Sequence, residues 1–358
     1  MKTKLNVAII GQGRSGRNIH GEYFKSERNE HFTVKYVVEL DPERRERAEK
    51  EYPGCRALAD YRELYDIDDV DLVVNATYSD THYSISRDLL LHGKNVLCEK
   101  PFGRTQYECE DLMRIAESKG VVLAAFQNTQ PAPFYLHALE LIKNGTLGDV
   151  KQINIRYNAF ARRWDWQTLQ KKLAGSAYNT GPHPVAMGLG FLDFDKHSKL
   201  VYSRLDTAVT SGDGDDYVKM LITAPGKPLV DIEMISIDAF TDYNLMVMGT
   251  KGTLRSTPKN YKLKYIVDGE NEQRPVIEES LKDENGMPTY CKDNLKWHSE
   301  EGSYDGTAFE VGTHAIYEGV YGAITEGKPL TVPNEHAAMT ISMIEAAHAN
   351  NPLPVKFI

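Results

Sequence analysis

Gly11-Gln12-Gly13-Arg14-Ser15-Gly16 spells G-x-G-x-x-G directly after the apolar run Val7-Ala8-Ile9-Ile10. Glycine at the first place permits a tight turn. At the second it lets a pyrophosphate approach the backbone, and at the third it lets a helix pack closely on the strand. The helix that opens here turns unpaired N–H groups and its positive dipole end toward the phosphates. Glu39 ends the second apolar run. A carboxylate in that place accepts hydrogen bonds from an adenosine ribose and repels a 2′-phosphate, so NAD is the expected cofactor and NADP the less favoured one. Arg44 and Arg45 stand nearby and soften that exclusion. Cys98-Glu99-Lys100-Pro101 closes a later run. Lys100 thereby falls at the carboxyl end of a strand, where ligands bind in open α/β sheets, and its ammonium can steady a developing alkoxide. Pro101 holds Lys100 extended. Further along, Trp164-Asp165-Trp166-Gln167 offers two aromatic faces. These either stack on the C–H face of a sugar ring or clamp the loop to the sheet. Asp165 and Gln167 are candidates for hydroxyls, and Arg162 and Arg163 for an acidic substituent.

The elements that must position these groups follow from hydrophobic period. Val34–Val38, Asp71–Ala76, Asn95–Cys98 and Val121–Phe126 are short apolar runs like the first. Runs apolar on both faces suit parallel strands covered on both sides. Between them Pro42–Glu51, Ser84–Leu91 and the segment opened by Thr105-Gln106-Tyr107-Glu108, which matches a capping box, read as helices. Strand–helix alternation of this kind predicts a doubly wound parallel sheet over residues 1–127. From residue 128 the texture changes. After a helix at Phe134–Lys143, Ile153, Ile155 and Tyr157 alternate with polar residues, as do Val218, Met220 and Ile222. Period-two patterning predicts an α/β domain at 128–358 with an open, mostly antiparallel sheet. Helices on one face leave Tyr157, Tyr217, Met246 and Met248 for the other, which a second copy would shield. Residues 268–306 are polar and read as a surface excursion. Two helices, Gly312–Glu326 and Glu335–Asn350, end the chain.

Composition narrows the function classes. The 358 residues carry a net charge of −9, with 42 Lys plus Arg against 51 Asp plus Glu. Without a basic block the chain does not fit a general nucleic-acid binder. No run approaches the roughly 18 apolar residues of a membrane span. The first apolar stretch is too short for a signal-peptide core and reads as a strand. The four cysteines form no C-x-x-C pair; neither a metal set nor a disulfide framework is expected, and the cytoplasm is the expected compartment.

Three motifs then line up behind the glycine loop: Asp71–Thr77 followed by His82, Glu99-Lys100-Pro101, and Asn179-Thr180-Gly181-Pro182-His183. In that order the set resembles the Gfo/Idh/MocA family of glucose–fructose oxidoreductase, inositol dehydrogenase and rhizopine-catabolism proteins, over nearly the whole chain. The resemblance implies an N-terminal Rossmann domain and a C-terminal α/β domain. It implies oxidation or reduction of a hydroxyl or keto carbon of a sugar, cyclitol or related polyol with NAD(P), in a homodimer or homotetramer joined through the C-terminal sheet. It makes Lys100, His183 and Asn179 the catalytic set, with His183 the proton acceptor, a role suited to a group titrating near neutrality. It puts Thr77 and His82 beside the nicotinamide, with Glu99 as a local or cofactor-side partner, and it makes Trp164, Trp166 and Asn179 substrate contacts. Asn128 and Tyr157 are weaker candidates, placed facing the cleft. The chain departs from the family at two points. Asn179 stands where an aspartate is usual, and Ala186 replaces a second aspartate. Asparagine keeps the shape but supplies neither charge nor basicity. Two alternatives therefore stand beside dehydrogenation: redox-neutral elimination or epimerisation with recycled NAD, and a catalytically silent NAD-dependent regulator.

Overall fold

The computed structural model describes residues 4–358. Its first lobe is a six-stranded parallel sheet built from β1 (Leu5–Ile10), β2 (Phe32–Val38), β3 (Arg56–Leu58), β4 (Leu72–Asn75), β5 (Val96–Cys98) and β6 (Leu123–Ala125), in the order β3-β2-β1-β4-β5-β6. The strands are apolar on both faces because helices cover both: α1 (Gly21–Lys25), α2 (Pro42–Glu51), α3 (His82–Leu91) and α4 (Gln106–Lys119). The strand order reverses between β1 and β4, which opens a crevice at their carboxyl ends. Gly11 and Thr77 sit there.

Sequence chemistry sets the helix limits. Asp41 caps α2 by accepting from Glu43 N at 2.9 Å, with Pro42 in the first turn. Gly120, at φ +64°, ends α4 in the left-handed conformation. The expected capping box at Thr105 is half formed. Thr105 Oγ1 accepts from Glu108 N at 3.2 Å, but the Glu108 carboxylate takes the Arg104 N–H at 2.7 Å instead of closing the box. The glycine loop does not run straight into an α-helix. Gly16–His20 form one wide π-type turn, in which Gly21 N–H reaches back to Gly16 O, before α1 begins. That turn aims His20 into the interior, where it is 0% exposed.

After α5 (Pro133–Lys143) the second lobe is an eight-stranded sheet: β7 (Val150–Arg156), β8 (Lys199–Asp206), β9 (Tyr217–Thr223), β10 (Leu229–Ile235), β11 (Leu245–Gly249), β12 (Gly252–Ser256), β13 (Asn260–Tyr265) and β14 (His298–Ser303), ordered β14-β13-β12-β11-β7-β10-β9-β8. Its pairings are antiparallel except β7 with β10. α6 (Ser176–Asn179) and α7 (Pro182–Phe191) lie on the buried face, where Ile153, Ile155, Met220 and Ile232 are fully covered. The other face carries Lys219 bridging Asp231 and Glu233, with Leu221, Met246 and Met248 half-buried beside it.

Two expectations are corrected. Tyr157 continues the register of Ile153 and Ile155, so it faces the covered side, its hydroxyl 3.6 Å from Met187 Sδ, and not the open face or the cleft. The excursion is shorter than expected, because residues 298–303 return as edge strand β14, paired with β13. The arm before it exposes Val276 and Tyr290 almost completely.

The last two helices are α8 (Thr313–Glu326) and α9 (Asn334–Asn350). α8 turns back onto the first lobe: Tyr317, fully buried, stacks on Tyr23 at 4.3 Å and meets Phe32 edge-on at 5.4 Å. Asn334 caps the open edge of the first sheet, accepting from Ala125 N and donating to Leu123 O.

Close approach explains two of the loop glycines. Gly11 has φ +92°, and a Cβ there would lie 2.5 Å from the Ala76 carbonyl oxygen. A Cβ on Gly16 would overlap the Gly11 carbonyl oxygen. Gly16→Ala therefore drives the turn off the strand. We expect a stability loss of about 1–3 kcal/mol or more, measurable by chemical denaturation, together with weakened dinucleotide binding.

Candidate active site

The glycine loop presents an open cradle. Apart from its chain neighbours, no atom of the described residues lies within 4 Å of where a Cβ on Gly13 would stand. A cavity of about 400 Å³ beside it is lined by Gln12, Gly13, Arg14, Arg17, Asn18, Arg44 and Arg47. Arg17 is paired with Glu51 at 2.6 Å, and Arg47 donates to Gln12 O at 3.3 Å. Gln12 Oε1 is buried without a hydrogen-bond partner among the described residues. This donor set, with Ser15 at the start of the turn, fits a dinucleotide pyrophosphate. Glu39 stands at the end of β2, where its carboxylate accepts from Gln12 N at 2.8 Å and Asp41 N at 3.1 Å. Arg44 approaches it at 3.7 Å.

Lys100 joins the lobes. The Lys100–Pro101 bond is cis. From the end of β5 its Nζ donates to the Asn179 backbone carbonyl at 2.6 Å and to Asn179 Oδ1 at 3.3 Å. Asn179 ends the short helix α6, and Gln167 Nε2 donates to the same Oδ1 at 2.8 Å. Burial pushes the Lys100 ammonium below its ordinary range against the opposing pull of Glu99, and the charges of Arg14 and Arg163 push the same way as burial. His183, in the first turn of α7, meets Thr129 Oγ1 at 3.3 Å through Nδ1. Burial, reinforced by Lys100, drives it down to about 3, so its imidazole is neutral at ordinary pH.

Behind Lys100 lies a buried chain of polar groups that the sequence did not announce. Glu99 Oε2 accepts the Lys100 N–H at 2.9 Å, and Glu99 Oε1 faces His20 Nε2 at 3.2 Å. His20 Nδ1 meets Tyr317 Oη at 2.7 Å. Ionised Glu99 is an acceptor only, so His20 donates to it from Nε2. Burial works to raise Glu99, but the His20 bond and the charges of His20 and Lys100 outweigh it and hold the carboxyl at about 2. The signal for His20 was its place four residues after Gly16, inside a helix expected to be only a phosphate support.

The remaining candidates scatter. Thr77 lies in the turn after β4, its Oγ1 donating to Asn75 Oδ1 at 2.7 Å. His82 is buried, with Nδ1 at 2.8 Å from Pro101 O and Nε2 at 3.2 Å from Thr77 O. Both ring nitrogens thus face backbone carbonyls, and the side chain braces the Thr77 turn against the Lys100–Pro101 bend. Asn128 is buried, donating to Thr313 Oγ1 at 3.3 Å. The two tryptophans do not act as a pair: Trp166 meets Tyr78 of the first lobe edge-on at 4.8 Å, while Trp164 is 82% exposed.

Glu99 carries a prediction for stability. Its carboxyl is depressed from about 4.5 to about 2 in the folded chain. The stabilisation is present above about pH 4.5 and disappears as pH falls toward 2. Glu99→Gln should therefore lose stability near neutral pH, and its deficit against the parent should shrink on acidification. Denaturation midpoints at several pH values measure this; a deficit independent of pH would contradict it.

Two family models match the chain: an NAD-binding Rossmann fold of the oxidoreductase family over residues 5–127, and the C-terminal alpha/beta domain of that family over residues 139–351. The oxidoreductase YhhX of Escherichia coli, named as uncharacterized, is 24% identical over 95% of each chain. The scyllo-inositol 2-dehydrogenase (NADP(+)) IolW of Bacillus subtilis is 26% identical over 54% of this chain and 53% of its own. Among solved structures, GenD2 from gentamicin A biosynthesis, in complex with NAD, superposes with a TM-score of 0.76 at 22% identity, covering 98% of this chain and 94% of that one. Spanning both domains, these matches and the site geometry place the chain in the Gfo/Idh/MocA oxidoreductase family.

Proposed function

We propose that this oxidoreductase uses NAD to exchange a hydride with a hydroxyl- or keto-bearing carbon of a sugar, cyclitol or related polyol. One observation carries the reading: the Lys100 ammonium stands at the lobe junction, beyond the carboxyl end of β5, tied to Asn179 of the second lobe. A relative's name supports the substrate class, since IolW is named a scyllo-inositol 2-dehydrogenase.

Bound nicotinamide supplies the hydride exchange, which no side chain can perform. The protein's own residues do the rest. Gly11, Gln12, Gly13, Arg14, Ser15 and Gly16 hold the pyrophosphate, and Glu39 receives the ribose hydroxyls. Thr77 and His82 shape the wall along the nicotinamide, and Glu99 sets the backbone of Lys100 from behind. Lys100 grips the reacting oxygen, and neutral His183 lies on its other side as a proton acceptor. Trp166, Trp164 and Asn179 border the space left for substrate. NAD is favoured because a 2′-phosphate would meet the Glu39 carboxylate. The uncovered face of the second sheet joins a second copy in this reading, with Leu221, Met246 and Met248 around the Lys219 ladder.

Two substitutions test it. Glu39→Ala should weaken NAD binding and narrow the gap to NADP in calorimetric titrations; an unchanged preference removes Glu39 from the cofactor site. Lys100→Met should cut turnover by about 10²–10⁴-fold with NAD affinity largely kept. Near-normal turnover would exclude Lys100 from the chemistry.

A further inference from the structure

The short helix α6 is a single turn, and a single turn does not hold itself. Its four residues close too few bonds to repay the cost of starting a helix, so its position is set from outside. At its far end it meets the first lobe twice. Lys100 Nζ donates to the Asn179 carbonyl at 2.6 Å, and Tyr178 Oη donates to the Arg104 carbonyl at 2.7 Å. Arg104 follows Lys100 closely in the chain. The two bonds therefore run in opposite senses between α6 and one short stretch of the first lobe. Whatever places α6 also places the oxygen that solvates the Lys100 ammonium.

Asp215, in the loop before β9, places the near end. Gly175 starts the turn and has no side chain with which to cap it. Asp215 caps it from a distant part of the chain. Its Oδ2 accepts from Ala177 N at 2.7 Å, and its backbone carbonyl accepts from Ser176 N at 2.7 Å. The first two N–H groups of the helix thus end on one residue, which is 2% exposed. Asp215 Oδ1 faces His348 Nε2 of α9 at 3.5 Å, and the His348 ring stacks on Tyr178 at 4.8 Å. Gly175 makes room for the carboxylate. Its φ of +104° is a conformation that side chains rarely adopt, and a Cβ there would overlap Asp215 Oδ1 and lie 2.9 Å from Asp215 N. The neighbouring carboxylates anchor other loops in the same manner. Asp213 accepts from Gln170 N and Lys356 N, each at 2.9 Å, and Asp216 accepts from Val209 N at 2.9 Å and Thr210 N at 2.7 Å. Asp215 is the one whose loop carries the acceptor of Lys100.

We propose that Asp215 is a positioning residue for the Lys100 site: its carboxylate fixes the start of α6 and, through that one turn, holds the Asn179 carbonyl against the Lys100 ammonium. The inference rests on the oxidoreductase reading above, in which Lys100 grips the reacting oxygen. Asp215 touches no reacting atom. Four helical residues rise only about 6 Å, too short a span for a displacement at one end to fade before the other. His348 closes the far side of the carboxylate and, through its stack on Tyr178, ties the same turn to α9.

The test uses the full chain as Asp215→Asn, Asp215→Leu and Gly175→Ala. Asparagine keeps an acceptor for Ala177 N, while leucine keeps the bulk and removes the acceptor. Both delete the same charge, so the difference between them isolates the bond. Gly175→Ala retains Asp215 but displaces its carboxylate, and it is read even where Asp215→Leu does not fold. The readout is the pH midpoint for acetylation of Lys100 by acetic anhydride, followed by mass spectrometry without cofactor or substrate, with the exposed Lys50 as internal reference. With α6 displaced, the ammonium loses the carbonyl that accepts from it. The midpoint should then fall by about half a pH unit or more in Asp215→Leu and Gly175→Ala. Asp215→Asn should stay with the parent. NAD calorimetry separates this inference from the reading beneath it. All three variants should bind NAD within about twofold of the parent, because the phosphate cradle is remote from α6. No heat from NAD with the parent would sink the oxidoreductase reading and, with it, the role given to Asp215. With NAD bound, a Lys100 midpoint that stays put in the displaced variants, or falls as far in Asp215→Asn, would overturn this inference alone.

Discussion

The site turns on keeping one ammonium group at the seam of two lobes with no carboxylate among the described residues paired to its Nζ. A half-buried cation loses hydration and must regain it from oxygens that the protein holds in place. Lys100 regains it from the backbone and side chain of one residue, Asn179, and so the position of the second lobe is written into the solvation of a residue of the first. Arg14 and Arg163 add positive potential where a neutral protein surface would add none. The result is an acid more willing to give up its proton than an ordinary lysine.

The same group is fixed from behind by a wholly different kind of chemistry. The run Tyr317–His20–Glu99 to the Lys100 amide is interior, each member satisfied by the next. Buried polar networks of this kind are costly unless complete, and when complete they specify geometry. This one threads the phosphate-loop turn, the end of β5 and α8, so that the phosphate loop, the strand carrying Lys100 and the last part of the chain share one reference frame. The π-type turn at Gly16–His20 serves that end, since it swings His20 inward instead of leaving it on the helix surface.

Much of the first lobe was legible because its information is local. Gly16 must be small where strand and helix touch, Asp41-Pro42 opens a helix, and Gly120 closes another; each of these is readable within a few residues. The second lobe was legible only as a texture. Alternation announced strands such as β9 and β10, but β8, with its exposed Val201 and Tyr202, hid among polar neighbours, and β14 lay in a segment whose composition resembles a loop. Tyr157 was put on the wrong face because alternation says which residues share a side without saying which side α7 covers. At the site, Lys100, His183 and Asn179 could be named from their motifs. Gln167 and His20 could not be given their roles, because those depend on partners far away in the sequence or on a turn type the sequence does not advertise.

The return of α8 to the first lobe has a consequence for biogenesis. Tyr317, Ile316, Val320 and Val332 complete an apolar layer that begins with Leu5, Val7 and Phe32. As the polypeptide leaves the ribosome, more than three hundred residues emerge before that layer can be sealed. Until then Phe32 and Phe126 lack their tyrosine neighbour and His20 lacks its hydroxyl partner. Domains that finish early in synthesis fold as they appear. Here the earliest part of the chain has to wait for the latest, and the nascent nucleotide-binding lobe is a natural client for chaperones that shield bare apolar surface.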